Sequence, residues 1–155
     1  MIRQQVTLQR VLGVWALTVS GASACEAPQG AAQAGAAVVA WANAERGARG
    51  LAPYRLSGAM AARTQACDMA VHGYFAHSRP GAPDLGPRIK ATGYRFRAAN
   101  ENLAHTRRVG PTSAGRIWRG APLHWAAVVD RGYRDVGVAI ATGGGRVYWV
   151  MVVAR

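Results

Sequence analysis

Three consecutive glycines, Gly143-Gly144-Gly145, separate two apolar runs near the C-terminal end, and no other feature constrains the fold as tightly. Before them Val136, Val138 and Ile140 alternate with small residues, the period-2 pattern of a strand with one buried face. After them residues 147–153 are apolar almost throughout, as in a buried strand. Glycine supplies the backbone freedom a tight reversal needs, so the whole segment predicts a β-hairpin. Upstream the patterns are helical. Residues 36–49 carry Val38, Val39, Ala42 and Glu45 with no breaker before Gly47, and Gly50 closes the segment. Ser57 is placed to cap a second helix reaching about His72, with Gly73 as its stop. Residues 79–87, rich in Pro and Gly, read as loop, and residues 85–92 as one or two helical turns ended by Gly93. Residues 94–104 read as extended, and residues 112–119 and 123–129 as short helices. Helices first, a strand in the middle and a hairpin last give an α+β fold. Its expected form is an α–β–α sandwich around a central antiparallel sheet, with no internal repeat.

The chain has 155 residues, the length of about one domain. Its first residues read as an export signal: Arg3 and Arg10 give a positive start, residues 11–19 an apolar run, and Ala22-Ser23-Ala24 a small-residue cleavage site. That run is far short of the roughly 20 residues a bilayer-spanning helix needs, and no later stretch is long enough to be one. The expected division is residues 1–24 as signal peptide, 25–35 as a short linker and 36–155 as the folded domain. The mature protein is then secreted or held in the periplasm or cell envelope, with no transmembrane segment.

The only two cysteines are Cys25 and Cys67. In an oxidising compartment they read as one disulfide tying the new N-terminus to a core helix, worth roughly 3–4 kcal/mol on the chain-entropy model. Lipid attachment at Cys25 and two free thiols are the alternatives. Against lipidation, position 22 is Ala, where a lipoprotein signal carries Leu.

The formal charge is +12, and +10 once Arg3 and Arg10 depart with the signal. Lys90 is the only lysine among 19 basic residues, a skew that compositional bias accounts for as readily as ligand selection. Arg88, Arg95, Arg97, Arg107, Arg108, Arg116 and Arg119 crowd the middle of the chain. They read either as a solvated basic surface or as an attraction to anionic envelope polymers or lipid head groups. Nucleic acid is not the expected partner, because no stacking platform or nucleic-acid motif accompanies them.

Three polar residues stand in apolar settings: His77 after Tyr74-Phe75-Ala76, Glu101 before Asn102-Leu103-Ala104, and His124 after Pro122-Leu123. Gathered by the fold, two imidazoles and a carboxylate, with a water, would satisfy a four-coordinate zinc. Asn100, Asn102 and Ser78 are the candidates to hold the imidazoles in place. Alternatively Glu101 and a histidine share a hydrogen bond with no metal. His72 and His105 lack such settings and read as surface residues.

These residues carry a resemblance. Asn43-Ala44-Glu45-Arg46, Gly50-Leu51-Ala52-Pro53, Ala66-Cys67-Asp68-Met69-Ala70, Phe75-Ala76-His77-Ser78, Gly93-Tyr94, Glu101-Asn102-Leu103-Ala104, Trp118, His124 and Tyr133-Arg134-Asp135-Val136-Gly137-Val138 follow one another in an order that resembles the CAP superfamily. That group comprises the cysteine-rich secretory, antigen 5 and pathogenesis-related proteins, here in the bacterial SCP-like form, and the likeness spans about residues 36–155. It implies an α–β–α sandwich, an extracellular or envelope location, and a cleft lined by two histidines and two acidic residues. In several members the histidines hold zinc or another divalent ion. Position by position, His77 matches the first histidine, Glu101 the first acid and His124 the second histidine. The second acid is missing, since Arg119-Gly120-Ala121 follows Trp118, and Trp125-Ala126-Ala127 replaces the common Arg and Asn after His124.

Two functions follow. The first is a secreted, non-catalytic binding module whose His/Glu cleft holds a divalent metal and engages lipid, cell-wall or protein ligands. The second is a hydrolase that uses Glu101, His77 or His124 as catalytic groups in the same cleft. No Gly-x-Ser-x-Gly or His-Glu-x-x-His motif supports the second, which places binding ahead of catalysis. A purely basic anchor to anionic polymers is a third possibility, marked by binding that salt abolishes.

Overall fold

The computed structural model describes residues 25–110 and 112–155; the expected signal segment lies outside the described residues. Five helices and four strands occur in the order α1 (Ala31–Gly47), β1 (Arg55–Leu56), α2 (Ala59–His72), α3 (Leu85–Ala91), β2 (Ala99–Thr106), α4 (Ser113–Arg119), α5 (Pro122–Val129), β3 (Asp135–Gly143) and β4 (Arg146–Ala154). The sheet order is β1-β3-β4-β2. β3 and β4 form the hairpin, β2 pairs antiparallel with β4, and β1 adds a two-residue parallel contact to β3.

The sheet is therefore mixed rather than purely antiparallel. β1 is too short to show any periodicity, so nothing in the sequence announces it. Two helix starts also differ from expectation. α1 begins at Ala31, inside the stretch assigned to a linker, because its small residues are mostly alanine, the best helix former. α2 is preceded by Gly58 at φ 67°, and no side chain caps it, Ser57 included. Gly73 ends α2 as expected, at φ 68° with its N–H donated to Met69 O.

β4 divides the interior in two. Val147, Trp149, Met151 and Val153 enter one core with α1, α4 and α5. Tyr148, Val150 and Val152, on the other face, enter a second core with α2 and α3. A strand buried on both faces needs helices on both sides, which is why its sequence shows no alternation. The helices bury matching stripes: Ala34, Val38, Ala42 and Arg46 at four-residue spacing along α1, and Ala61, Ala62, Gln65, Ala66, Met69 and Ala70 along α2.

Arg46 is 1% exposed and has no carboxylate ion pair among the described residues. It donates instead to the carbonyls of Ala52, Val128, Asp130 and Tyr133 and lies 4.0 Å from the centre of the Tyr54 ring. Tyr54 in turn donates toward the carbonyls of Ala127 and Val128. The two side chains lock the end of α5 to the end of α1. A disulfide between Cys25 and Cys67 ties the start of the described chain to α2, as the even cysteine count predicted.

Candidate functional site

β2 is an edge strand, and consecutive residues on it face opposite sides of the sheet. Glu101 pairs with Val152 and so faces the α2/α3 layer; Asn102 pairs with Met151 and faces the α1/α4/α5 layer. Each meets one of the two histidines. Asn102 Nδ2 donates to the carbonyl of His124 at 2.9 Å, which fixes the first turn of α5 against the strand. Glu101 Oε1 accepts from His77 Nδ1 at 2.9 Å.

His77 lies in the loop that follows the Gly73 stop. That loop is pinned from below: Gln65 Nε2 donates to Ala76 O at 2.6 Å, and Arg88 NH2 donates to His77 O at 3.0 Å. The side chain of His77 is 60% exposed, whereas that of Glu101 is 1% exposed. Because the carboxylate accepts at Nδ1, the neutral ring carries its lone pair on Nε2, toward solvent.

Arg88 is the residue the sequence reading misplaced. Counted there among surface arginines, it is buried with a side chain 2% exposed. It donates to Glu101 Oε2 at 2.8 Å and to Oε1 at 3.1 Å, a forked pair. Both oxygens of Glu101 are thus committed, one to Arg88 alone and one shared with His77. A lone acid in an apolar strand calls for a cation. Which of many arginines supplies it is decided by α3 packing on β2, and sequence does not carry that information.

His124 is partly buried. Burial, with the neighbouring His77 adding to it, holds its pKa below the usual 6.5, so the ring is neutral at pH 7. Its Nδ1 is buried without a hydrogen-bond partner, as are Asn102 Oδ1 and Arg88 Nε. The expected holders act otherwise. Ser78 Oγ donates to Asp84, Asn102 holds the His124 backbone rather than its ring, and Asn100 is exposed. His72 and His105 are exposed, His72 beside Asp68 and His105 edge-on to Phe75.

The structure therefore joins His77 to Glu101, with Arg88 beneath them, and holds the His124 backbone to the same edge strand through Asn102. Among the described residues no group of three His, Cys, Asp or Glu side chains is spaced to hold a metal ion. The donors left open are imidazole nitrogens: the outward Nε2 of His77 and the unpartnered His124 ring. Exposed Phe75 and Leu123, each within two residues of a site histidine, give the rim an apolar character.

Two of the cavities among the described residues are large, and the first shares Gln65 and Arg88 with this site. One of about 440 Å³ is lined by Gln65, Asp68, His72, Arg79 and Arg88. The other, about 760 Å³ and mostly apolar, runs beside α1 past Val39, Tyr54, Leu56, Val138 and Ile140.

Residues 39–153 match the model of the cysteine-rich secretory protein family, CAP. Among solved structures the chain is similar to an extracellular protein containing an SCP domain from Bacillus anthracis, at 20% identity and a TM-score of 0.73. That match covers 81% of this chain and 41% of the other, so the chain spans less than half of that protein's length. An outer surface protein of Borrelia burgdorferi is matched at 14% identity and a TM-score of 0.74, over 85% of this chain and 98% of the other. NaASP2, in a structure with Zn2+, is matched at 12% identity and a TM-score of 0.57, over 83% of each chain. No curated protein matches the sequence.

Proposed function

The chain belongs to the CAP family of cysteine-rich secretory proteins, and from that premise we propose that it is an exported, non-catalytic binding module whose paired imidazoles take a divalent metal. The observation that carries this reading is the forked Arg88–Glu101 pair. It occupies the one carboxylate of the site and leaves two neutral or outward-facing imidazoles as the open donors. Arg88 and Glu101 serve to hold His77, through its backbone carbonyl and its Nδ1, and His124 is set by Asn102.

A metal bound there would supply a Lewis-acid centre able to take a carboxylate, phosphate or water oxygen from a ligand. A structural relative was solved with Zn2+, which favours zinc as the first ion to test. Hydrolysis by the same residues is the weaker alternative. Glu101 is held by Arg88 and His77 rather than free to reach a substrate proton, and a histidine base would work without a Gly-x-Ser-x-Gly or His-Glu-x-x-His motif beside it. The extracellular and outer-surface relatives support an exported location, as does the disulfide, which persists outside the reducing cytoplasm. The apolar groove beside α1 supports the lipid class among the expected partners.

Calorimetric titration of zinc at neutral pH tests the proposal. Wild type is expected to bind with one-to-one stoichiometry, and His77→Ala/His124→Ala to lose at least ~100-fold in affinity. Equal affinity in the two proteins would overturn it. Turnover of a peptide or ester panel that vanishes in the double variant would promote the hydrolase.

A further inference from the structure

All four strands carry an arginine at the same end of the sheet. Arg55 lies in β1, Arg134 directly precedes β3, Arg155 directly follows β4, and Arg97 lies two residues before β2. Backbone hydrogen bonds join them into one row. Arg55 N–H donates to Arg134 O at 2.8 Å, Arg134 N–H to Ala154 O at 3.0 Å and Arg155 N–H to Ala98 O at 2.9 Å, and Arg97 N–H donates to Arg155 O. Neighbouring strands lie about 4.8 Å apart, so the row crosses about 14 Å of the molecule.

Each of these four residues is exposed. Arg55 is paired with Asp135, but the side chains of Arg97, Arg134 and Arg155 have no hydrogen-bond or ion-pair partner among the described residues. Among the other described arginines Arg49 and Arg119 share Glu45, Arg79 holds Asp68 and Arg88 holds Glu101, whereas the exposed Arg63, Arg107, Arg108, Arg116 and Arg146 are unpaired like the row but are not aligned with it by strand ends. Exposed Lys90, Arg95 and Arg131 neighbour the row in sequence. Asp130 and Asp135 are the acids next to it in the chain. Asp135 is already paired with Arg55, and Asp130 accepts the N–H of Gly132.

We propose that this end of the sheet docks the protein on a bilayer of anionic phospholipid. Guanidinium groups match phosphate oxygens in geometry as well as charge, and a row held by the ends of a sheet is preorganised against a planar array of head groups. Beside the row Leu56, 74% exposed, gives an apolar side chain suited to the boundary between head groups and acyl chains. The aromatics of the same segment point elsewhere: Tyr94 and Phe96 pack on the second core, and Tyr94 donates its hydroxyl to Asp135. Without stacking rings the face has phosphate recognition but no platform for nucleobases. The surface is independent of the imidazole pair, whose residues it does not use.

Sedimentation with vesicles tests it, using the protein as the cell processes it. Mixed phosphatidylcholine and phosphatidylglycerol vesicles are expected to bind it, pure phosphatidylcholine vesicles are not, and added salt reverses binding. Arg97→Ser/Arg134→Ser/Arg155→Ser is expected to lower partitioning about 100-fold, and Arg134→Ser alone about five-fold. A matched triple at the opposite end of the sheet, Arg107→Ser/Arg108→Ser/Arg146→Ser, removes the same charge. It stays within about two-fold of wild type, because those residues lie beyond a Debye length of about 8 Å from a docked membrane. Equal losses in the two triples would make net charge the cause and overturn the proposal. So would capture by inorganic polyphosphate without binding to the mixed vesicles. Matching thermal midpoints confirm that both triples are folded.

Discussion

Replacing Glu101 by Gln removes one charge and leaves the Arg88 guanidinium buried against a neutral amide. Breaking a buried pair in this way costs about 3–5 kcal/mol, whereas exchanging both partners for apolar residues is often neutral. Glu101→Gln is therefore expected to lower the urea-unfolding free energy by that amount, and Arg88→Met/Glu101→Leu to recover most of it. A loss under about 1 kcal/mol in the single variant would mean that the pair is not desolvated in solution. Asp68 gives a prediction in pH. Burial pushes its carboxyl up, but the hydrogen bonds from Tyr74 and Arg79 outweigh burial and hold it below the usual 3.8. A depressed acid stabilises the fold above its unfolded pKa, and that contribution disappears as pH falls through the lower folded value. In melts taken below pH 3.8, wild type should lose stability more steeply than Asp68→Asn. At this scale the His77–Glu101 contact joins two residues that the sequence singled out, because polar groups beside bulky apolar ones are conspicuous. Arg88 was hidden because an arginine among arginines has the same local signature whether buried or solvated.

The helices and strands differ in how plainly they were written. The β3–β4 hairpin was legible to within a residue or two, since long apolar runs and a glycine turn have no competing explanation. β1 was invisible, and the start of α1 was lost in a run of small residues that suits linker and helix alike. Contact between elements also produces constraints that no local pattern reveals. Gly143, at the end of β3, approaches α2 so closely that a Cβ built on it would overlap the backbone carbonyl of Ala70. The obstacle is backbone, which cannot rotate away. Gly143→Ala should therefore destabilise by about 3 kcal/mol, at the upper end of the overpacking range, as read from chemical denaturation. Gly47, at the end of α1 with nothing within 4 Å of a Cβ placed there, is the control and should tolerate alanine. Gly115 repeats the situation against the Trp41 ring, where α4 rests on α1.

Over the whole molecule, fold and family were readable from the order of motifs along the chain, because that order reflects two helical layers on one sheet. The arginine row was not readable, since its members are scattered between positions 55 and 155 and only strand pairing aligns them. The disulfide contributes to the stability of the molecule as a whole. It closes a loop of 42 residues, so reduction is expected to cost roughly 3–4 kcal/mol, measured by unfolding with and without a reductant. The reduced protein should still fold, because Cys25 precedes every helix and strand described. From this a record of itinerary follows. Molecules stranded in the cytosol would carry two alkylatable thiols, and molecules that had crossed into an oxidising space would carry none. A mass-tagging maleimide added to lysed, denatured cells would then sort the population by where each copy had been.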